Sequence, residues 1–256
     1  MILVLDIGNS QIFGGVFDGD DLRLQFRRAS RADSTSDEQG LFLRQVLREN
    51  DVDPAGVTAI ALCSVVPDMV HSARSACQKY FGIRPFVLEP GVRTGLKIRY
   101  HNPLEVGADR IAGAIAAAKL HPGRNAILVD FGTATTIDAL TAEREYLGGL
   151  IVPGLRLAME SLDARTARLS KVEIRKPPEL LGRSTTESIQ AGLYYGNVAL
   201  LRHVCREVRE RYFAGRETIL IGTGGFARLF EDEGVFDALI PELVLIGLLE
   251  ALRQNS

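Results

Sequence analysis

The sequence predicts an α/β protein of two duplicated halves, each a mixed sheet flanked by helices. The first observation behind this is a repeat: Ile2-Leu3-Val4-Leu5-Asp6-Ile7-Gly8-Asn9-Ser10 is echoed at Ala126-Ile127-Leu128-Val129-Asp130-Phe131-Gly132-Thr133-Ala134. Each copy is an apolar run long enough for a buried strand, ending in Asp with a Gly two residues on. The second is that a hairpin pattern follows each copy. The third is the alternation of strand and helix signals after that antiparallel start, which suits sheets covered by helices. The halves are expected at residues 1–115 and 116–256, with the cut inside an Ala-rich helix.

In order along the chain, Ile12 to Asp18 and Leu22 to Arg27 flank an Asp18-Gly19-Asp20-Asp21 turn. Ser36-Asp37-Glu38-Gln39 has the S-x-x-Q form of a capping box and opens a helix whose Leu43, Val46 and Leu47 share a face. A strand from Val57 to Val65, a helix from Pro67 to about Phe81 and a strand from Phe86 to Glu89 follow. Pro90 to Gly107 is punctuated by Gly91, Gly95, Asn102 and Pro103 and predicts a loop. Ala108 to Leu120 predicts the Ala-rich helix, closed by His121-Pro122-Gly123. After the second repeat, Thr135 to Leu140 and Tyr146 to Val152 flank Thr141 to Glu145 as a second hairpin. Leu155 to Leu169 and Thr186 to Phe213 predict helices, the latter long. Thr218 to Ile221 predicts a strand ending in Gly222-Thr223-Gly224-Gly225, Phe226 to Glu233 a short helix, and Glu242 to Leu252 an apolar-faced helix.

Composition narrows the function classes. The chain has 256 residues, of which 46% are hydrophobic and 24% charged, an ordinary balance for one or two domains with a sizeable core. A net charge of −2 gives no global field for nucleic acid or an anionic membrane, so an anionic ligand has to be gathered locally. Cys63, Cys77 and Cys205 form no C-x-x-C pair, which indicates neither a zinc site nor a disulfide framework and points to the reduced cytoplasm. No signal peptide or membrane span is expected.

The repeat has a chemical use. A carboxylate at the end of a buried strand holds a hydrated cation, and a Gly beyond it lets backbone N–H groups approach phosphate oxygens with no Cβ in the way. One D-x-G is an ordinary turn; two in the same strand-and-hairpin context predict paired phosphate loops and a nucleotide ligand. In the first loop Asp6 is the candidate for hydrated Mg²⁺, with Gly8, Asn9 and Ser10 meeting phosphates. In the second, Asp130 is a candidate cation ligand and Thr133 a phosphate donor beside Gly132. Gly222-Thr223-Gly224-Gly225 offers flat backbone to a base or ribose but lacks Walker and Rossmann spacing. Gly107-Ala108-Asp109-Arg110 sits where a loop becomes a helix, so Asp109 stays ionised near helix N–H groups and an adjacent cation. Such a carboxylate can accept a hydroxyl proton, help worth about 10² to 10⁴ in rate.

Taken together, D-x-G-N-S at Asp6, the Tyr100-x-Asn102-Pro103 loop, Gly107-Ala108-Asp109-Arg110, Asp130-x-Gly132-Thr133-Ala134-Thr135, Gly148-Gly149-x-Ile151-x-Pro153-Gly154 and Gly222-Thr223-Gly224-Gly225 make the chain similar to the type III pantothenate kinases. The match runs in order along nearly the whole chain. The resemblance implies the acetate and sugar kinase, heat-shock and actin-like fold, with two duplicated ribonuclease-H-like domains of the actin-like ATPase kind, and a homodimer. It also implies ATP-dependent phosphorylation of pantothenate to 4'-phosphopantothenate, the first step of coenzyme A biosynthesis, with Mg²⁺ and K⁺ or NH₄⁺.

Carried over by position, Asp109 resembles the family's proton acceptor, and Gly107, Ala108 and Arg110 lie with it where pantothenate is held. Tyr100 matches a residue lining that pocket, and Thr185 a contact supplied from the neighbouring subunit. Asp6, Ile7, Gly8, Asn9, Ser10, Gln11, Ile12 and Phe13 correspond to the first ATP-binding stretch, and Gly132, Thr133, Gly224 and Gly225 to further ATP contacts. Asp130 corresponds to the monovalent-cation ligand. Phe13 and Gly14 stand where some relatives carry a Lys, and Ser184 where the family commonly has Asn. Two other readings are a kinase of the same fold for a sugar or short acid, and a non-catalytic nucleotide-binding regulator.

Overall fold

The computed structural model describes residues 1–165 and 171–256. Its contacts divide into two compact units: unit 1 is Met1–Leu96, His101–Leu120 and Leu243–Ser256, and unit 2 is Lys97–Tyr100 and His121–Glu242. The single cut expected at residues 115 and 116 therefore meets a chain that gives its last segment, Leu243–Ser256, to the same unit as its first.

Unit 1 is built on β1 (Ile2–Ile7), β2 (Gln11–Asp18), β3 (Asp21–Ala29), β4 (Ala59–Ser64) and β5 (Phe86–Val87), in the sheet order β3-β2-β1-β4-β5. β1 pairs antiparallel with β2 and parallel with β4, because the first connection is a tight turn and the second a long crossover. That crossover carries α1 (Ser36–Arg48), which packs on α2 (Pro67–Phe81) over one face of the sheet. Leu3, Leu5, Ile7, Ile12, Val16 and Phe26 meet Leu43, Leu47, Met69 and Ala73 there. The other face takes α3 (Ala108–Leu120) and a C-terminal helix (Leu243–Gln254), packed closely on each other. Gly247 makes this approach possible, since a Cβ there would run into the backbone of Ala112.

Unit 2 repeats the plan. β7 (Asn125–Phe131), β8 (Ala134–Leu140), β9 (Glu145–Pro153), β10 (Thr218–Gly224) and β11 (Ala238–Leu239) take the order β9-β8-β7-β10-β11, the same as unit 1, with β6 (Lys97–Ile98) added outside β9. The likeness reaches irregularities: the second strand of each hairpin pair slips register near its end, at Val16/Phe17 and at Ala139/Leu140. α4 (Leu155–Arg165) and the long α5 (Thr185–Tyr212) pack on each other, and α5 buries Ile189, Leu193, Tyr194, Val198, Leu201 and Cys205 in the unit 2 core. The C-terminal helix of unit 1 is α6.

Several expectations shift. The capping box is centred on Thr35, not Ser36: Thr35 Oγ1 accepts from the Glu38 N–H at 3.2 Å, and the Thr35 N–H donates to Glu38 at 2.7 Å. The two frames differ by one residue, and the frame with an acid at the third helical position closes the box. The segment expected as loop from Pro90 to Gly107 contains β6 and a 3₁₀ turn at Pro103–Glu105, as β6 borrows its ladder partners Glu145 and Tyr146 from far along the chain. The end of the expected helix at Leu169 lies outside the described residues. β11 has no periodic signal in its two residues. Among the described residues, no helix is long and apolar enough to cross a membrane.

Candidate active site

In unit 1 the first loop is a tight turn closed by the Gly8 N–H donating to Gln11 O at 3.0 Å. Ser30 ties the turn to the end of β3, its hydroxyl donating to Gly8 O and its N–H to Ser10 O. A Cβ on Gly8 would stand 3.1 Å from Gln11 O, so the turn is tight enough to favour Gly. Asn9, Ser10 and Gln11 are exposed at its tip. Ile7 and Ile12 point into the unit 1 core, so of the stretch expected to bind ATP these two have only backbone to offer a nucleotide.

Register aligns a row of side chains on the face that carries α3. Asp6 is opposite Cys63 on β4 and Phe13 on β2, and Phe13 is opposite Arg27 on β3. The Cys63 thiol donates to Asp6 Oδ1 at 3.3 Å, and the Arg27 guanidinium lies 3.8 Å over the Phe13 ring centroid. Asp109 reaches the same neighbourhood from the first turn of α3: its negative charge, with that of Asp6, adds to burial in pushing the Cys63 thiol well above its ordinary pKa.

Asp109 is held by its own helix terminus. Its carboxylate accepts from the Arg110 N–H at 2.8 Å, and a Cβ on Gly107 would strike Asp109 Oδ1. Gly107 therefore both starts α3, accepting from the Ile111 N–H at 3.1 Å, and leaves room for the acid. Ala108 is partly buried beside them and Arg110 is buried.

In unit 2 the second loop, Gly132 and Thr133, is exposed after β7. The Gly132 N–H donates to Ala134 O and the Gly154 N–H to Thr133 O, both at 3.1 Å, while the Gly225 N–H donates to Phe131 O at 3.1 Å. A Cβ on Gly224, whose φ is +87°, would strike Asp130 Oδ1 and the Phe131 backbone. Asp130, Gly132, Thr133, Gly224 and Gly225 are thus brought together, and the glycine strand end cradles the acid. Gly154 has a steric role: a Cβ there would run into Thr133 O and Gly132 O.

Tyr100 is half-buried in unit 2, its ring 6.3 Å from that of Tyr146 and against Gly148, whose φ of +122° few side chains tolerate. Tyr146 donates to buried Asp138 at 2.6 Å. Thr185 opens α5, capped by the Ser184 hydroxyl, in a groove of about 760 Å³ shared with Leu162, Gly182, Arg183, Ser188 and Ile189.

Comparison with known proteins decides the family. A type III pantothenate kinase family model matches residues 2–207. The chain is 52% identical over 256 residues to a type III pantothenate kinase of Legionella pneumophila strain Paris, covering all of both chains. It is 48% identical over 255 residues to one from Elusimicrobium minutum, covering 100% of this chain and 99% of that one. The chain belongs to the type III pantothenate kinase family. Among solved structures, a Baf family protein from Campylobacter jejuni is similar with a TM-score of 0.60 at 20% identity, covering 99% of this kinase and 98% of that chain. A 2-hydroxyisocaproyl-CoA dehydratase activator from Clostridium difficile, solved with bound ADPNP, follows with a TM-score of 0.52 at 12% identity, covering 98% and 92%. These likenesses show the fold of the kinase, two mixed sheets that repeat one strand order.

The residues also fit the ions that the family resemblance implies. Among the described residues no group of three or more His, Cys, Asp or Glu could cage a metal. Hydrated Mg²⁺ needs no such cage, since one or two carboxylates and the substrate phosphates suffice, and Asp6 would supply one of them. Asp130, whose carboxylate lies against Gly224, would supply an oxygen ligand of the kind that hard cations take.

The sequence reading did not find Cys63, Arg27, Asp138 or Tyr146. Cys63 and Arg27 matter through strand register, which a linear reading does not give. Asp138 carried a signal, an acid within the apolar run Ile137 to Leu140, which marks a buried carboxylate needing partners.

Proposed function

We propose that this pantothenate kinase passes the ATP γ-phosphoryl group in line to the primary hydroxyl of pantothenate, with Asp109 accepting the hydroxyl proton. The new P–O bond forms as the bond from γ-phosphorus to the bridging oxygen breaks; ADP leaves and 4'-phosphopantothenate is released, the first intermediate towards coenzyme A. Asp109 carries the reading. Its carboxylate is fixed by the Arg110 N–H and the space at Gly107, and its charge acts with that of Asp6 on Cys63. Arg110, Gly107 and Ala108 orient pantothenate, with Tyr100 contributing a pocket wall.

ATP is the donor. The turn after Asp6 and the Gly132-Thr133 loop contact phosphates, and Gly224 and Gly225 present backbone to the nucleoside. A bound Mg²⁺ would neutralise phosphate charge, with Asp6 as its protein ligand. K⁺ or NH₄⁺ would be held by Asp130. Positioning and electrostatics then carry the rate, with no covalent enzyme intermediate.

A homodimer completes the reading, Thr185 serving a pocket of the second copy. Its support is the exposure of Leu180 and Leu181 just ahead of the Thr185 groove, at 61% and 80%. The three buried, unbridged cysteines suit a cytoplasmic enzyme.

The test is ADP release with ATP, Mg²⁺ and K⁺, with and without pantothenate, and product mass. Pantothenate-dependent turnover that falls in Na⁺ and collapses in Asp109→Asn is expected. Near-wild-type turnover in Asp109→Asn would remove the base, and ATP binding without turnover across an acceptor panel would favour the regulator. A monomeric mass by light scattering would remove the shared role of Thr185.

A further inference from the structure

We propose that Arg27 binds the ATP triphosphate, supplying from β3 the side-chain cation that the first phosphate loop lacks; this rests on the reading of that loop as a phosphate site. The eight residues from Asp6 to Phe13 include no Lys or Arg. Backbone N–H groups and one divalent ion leave part of a triphosphate's charge uncompensated, and phosphoryl transfer sites commonly add a side-chain cation.

Register puts Arg27 in place. Asp6 and Phe13 are direct partners, as are Phe13 and Arg27, so all three project from one face of the sheet. The Arg27 backbone is two strand spacings, roughly 10 Å, from that of Asp6. Its side chain closes the gap: the guanidinium carbon lies 3.8 Å over the centroid of the Phe13 ring, above the residue beside Asp6. The ring is 6% exposed and forms a fixed platform, whereas Arg27 is exposed.

Stacking uses the face of a guanidinium, while its N–H groups point outward in the plane, the arrangement that meets phosphate oxygens two at a time. The neighbouring Arg28 has a different task. It projects to the opposite face, donates to Ser34 Oγ and Glu38 O, and lies 5.0 Å over Phe42. The aromatic at position 13 gives the Arg27 guanidinium its platform.

The experiment is steady-state kinetics of R27M, R27K, F13L and D6N in the full chain, with thermal melts and binding of ATP and AMP. R27M is expected to raise KM for ATP roughly tenfold or more, the loss of a charge-assisted phosphate contact, with KM for pantothenate and AMP binding unchanged and only the small drop in Tm that lost stacking brings. R27K should recover part of the loss, and F13L, which keeps the charge without its platform, should fall between. Unchanged ATP parameters in R27M with impaired D6N would overturn this assignment alone. Unchanged parameters in both would overturn the phosphate-loop reading as well. A rise in both KM values with a lowered Tm would make Arg27 a scaffold residue and overturn the proposal.

Discussion

Cys63 donates its thiol proton to Asp6 across the parallel β1/β4 pair, with Sγ 3.3 Å from Oδ1. Burial, reinforced by the charges of Asp6 and Asp109, keeps the thiol protonated far into the alkaline range, so it remains a donor. Cys63→Ala removes this donor and, on the proposed role of Asp6, should raise the half-saturating Mg²⁺ concentration about two- to tenfold, the range of one hydrogen bond, while Cys63→Ser retains near-normal values. A magnesium titration of turnover reads both variants, and equal values in the Ala variant and the parent would show that Asp6 is oriented by other contacts.

Gly224→Ala combines a positive φ with a Cβ directed at Asp130 Oδ1 and the Phe131 backbone. A loss of about 1–3 kcal/mol or more is expected from crowding alone, together with, on the proposed role of Asp130, a weakened response to K⁺. Chemical denaturation with a K⁺ titration separates the two effects.

Gly247→Ala pushes α6 off the Ala112 backbone within unit 1. Because α3 carries Asp109 in its first turn, the variant should lose stability at the upper end of that range and also turnover. Urea unfolding and initial rates on the same sample test this, and an unchanged midpoint would mean the helix pair is more yielding than its packing indicates.

Tyr146→Phe removes the 2.6 Å donor to buried Asp138 and loosens the ring beneath Tyr100. The expected cost is about 1–3 kcal/mol, as for a buried acceptor left without its donor, with a raised KM for pantothenate and little change in that for ATP. A stability loss with both KM values intact would sever Tyr100 from the substrate pocket.

Glu233 accepts from Tyr194 at 2.7 Å and pairs with Lys176 and Arg202, which holds its carboxyl below the ordinary value of 4.5. A depressed carboxyl stabilises the fold above the unfolded value and loses that contribution as pH falls through the folded one. Glu233→Gln should therefore flatten the fall in Tm below about pH 4.5. Tyr194 supplies the opposite limb: burial and the Glu233 bond raise its hydroxyl to about 12, so its contribution is complete below 10 and fades as pH climbs towards 12.

Much of the fold was legible because its signals are local. The ends of Pro67–Phe81 and Ala108–Leu120 are marked by Pro67, Gly107 and the His121-Pro122-Gly123 stop, and the repeated strand-turn-hairpin is written into neighbouring residues. What stayed hidden depends on pairing over distance. β6 exists only through Glu145 and Tyr146, and the Cys63–Asp6–Phe13–Arg27 row only through three register choices. At the candidate site the sequence pointed to the acids and glycines, whose types are telling, and passed over the cysteine, arginine and tyrosine that surround them, whose meaning comes from neighbours.

The placement of α6 has a consequence for how the molecule is made. Unit 1 takes its last helix from Leu243–Ser256, so a ribosome must complete all of unit 2 before the helix that covers α3 exists. Until then the side of α3 that carries Ala112 lacks that cover, and the nascent first unit exposes apolar surface of the kind that makes incomplete chains prone to aggregate. Vectorial synthesis would therefore finish the second unit ahead of the first, and a premature stop near the 3' end of the message would damage the unit encoded at its beginning.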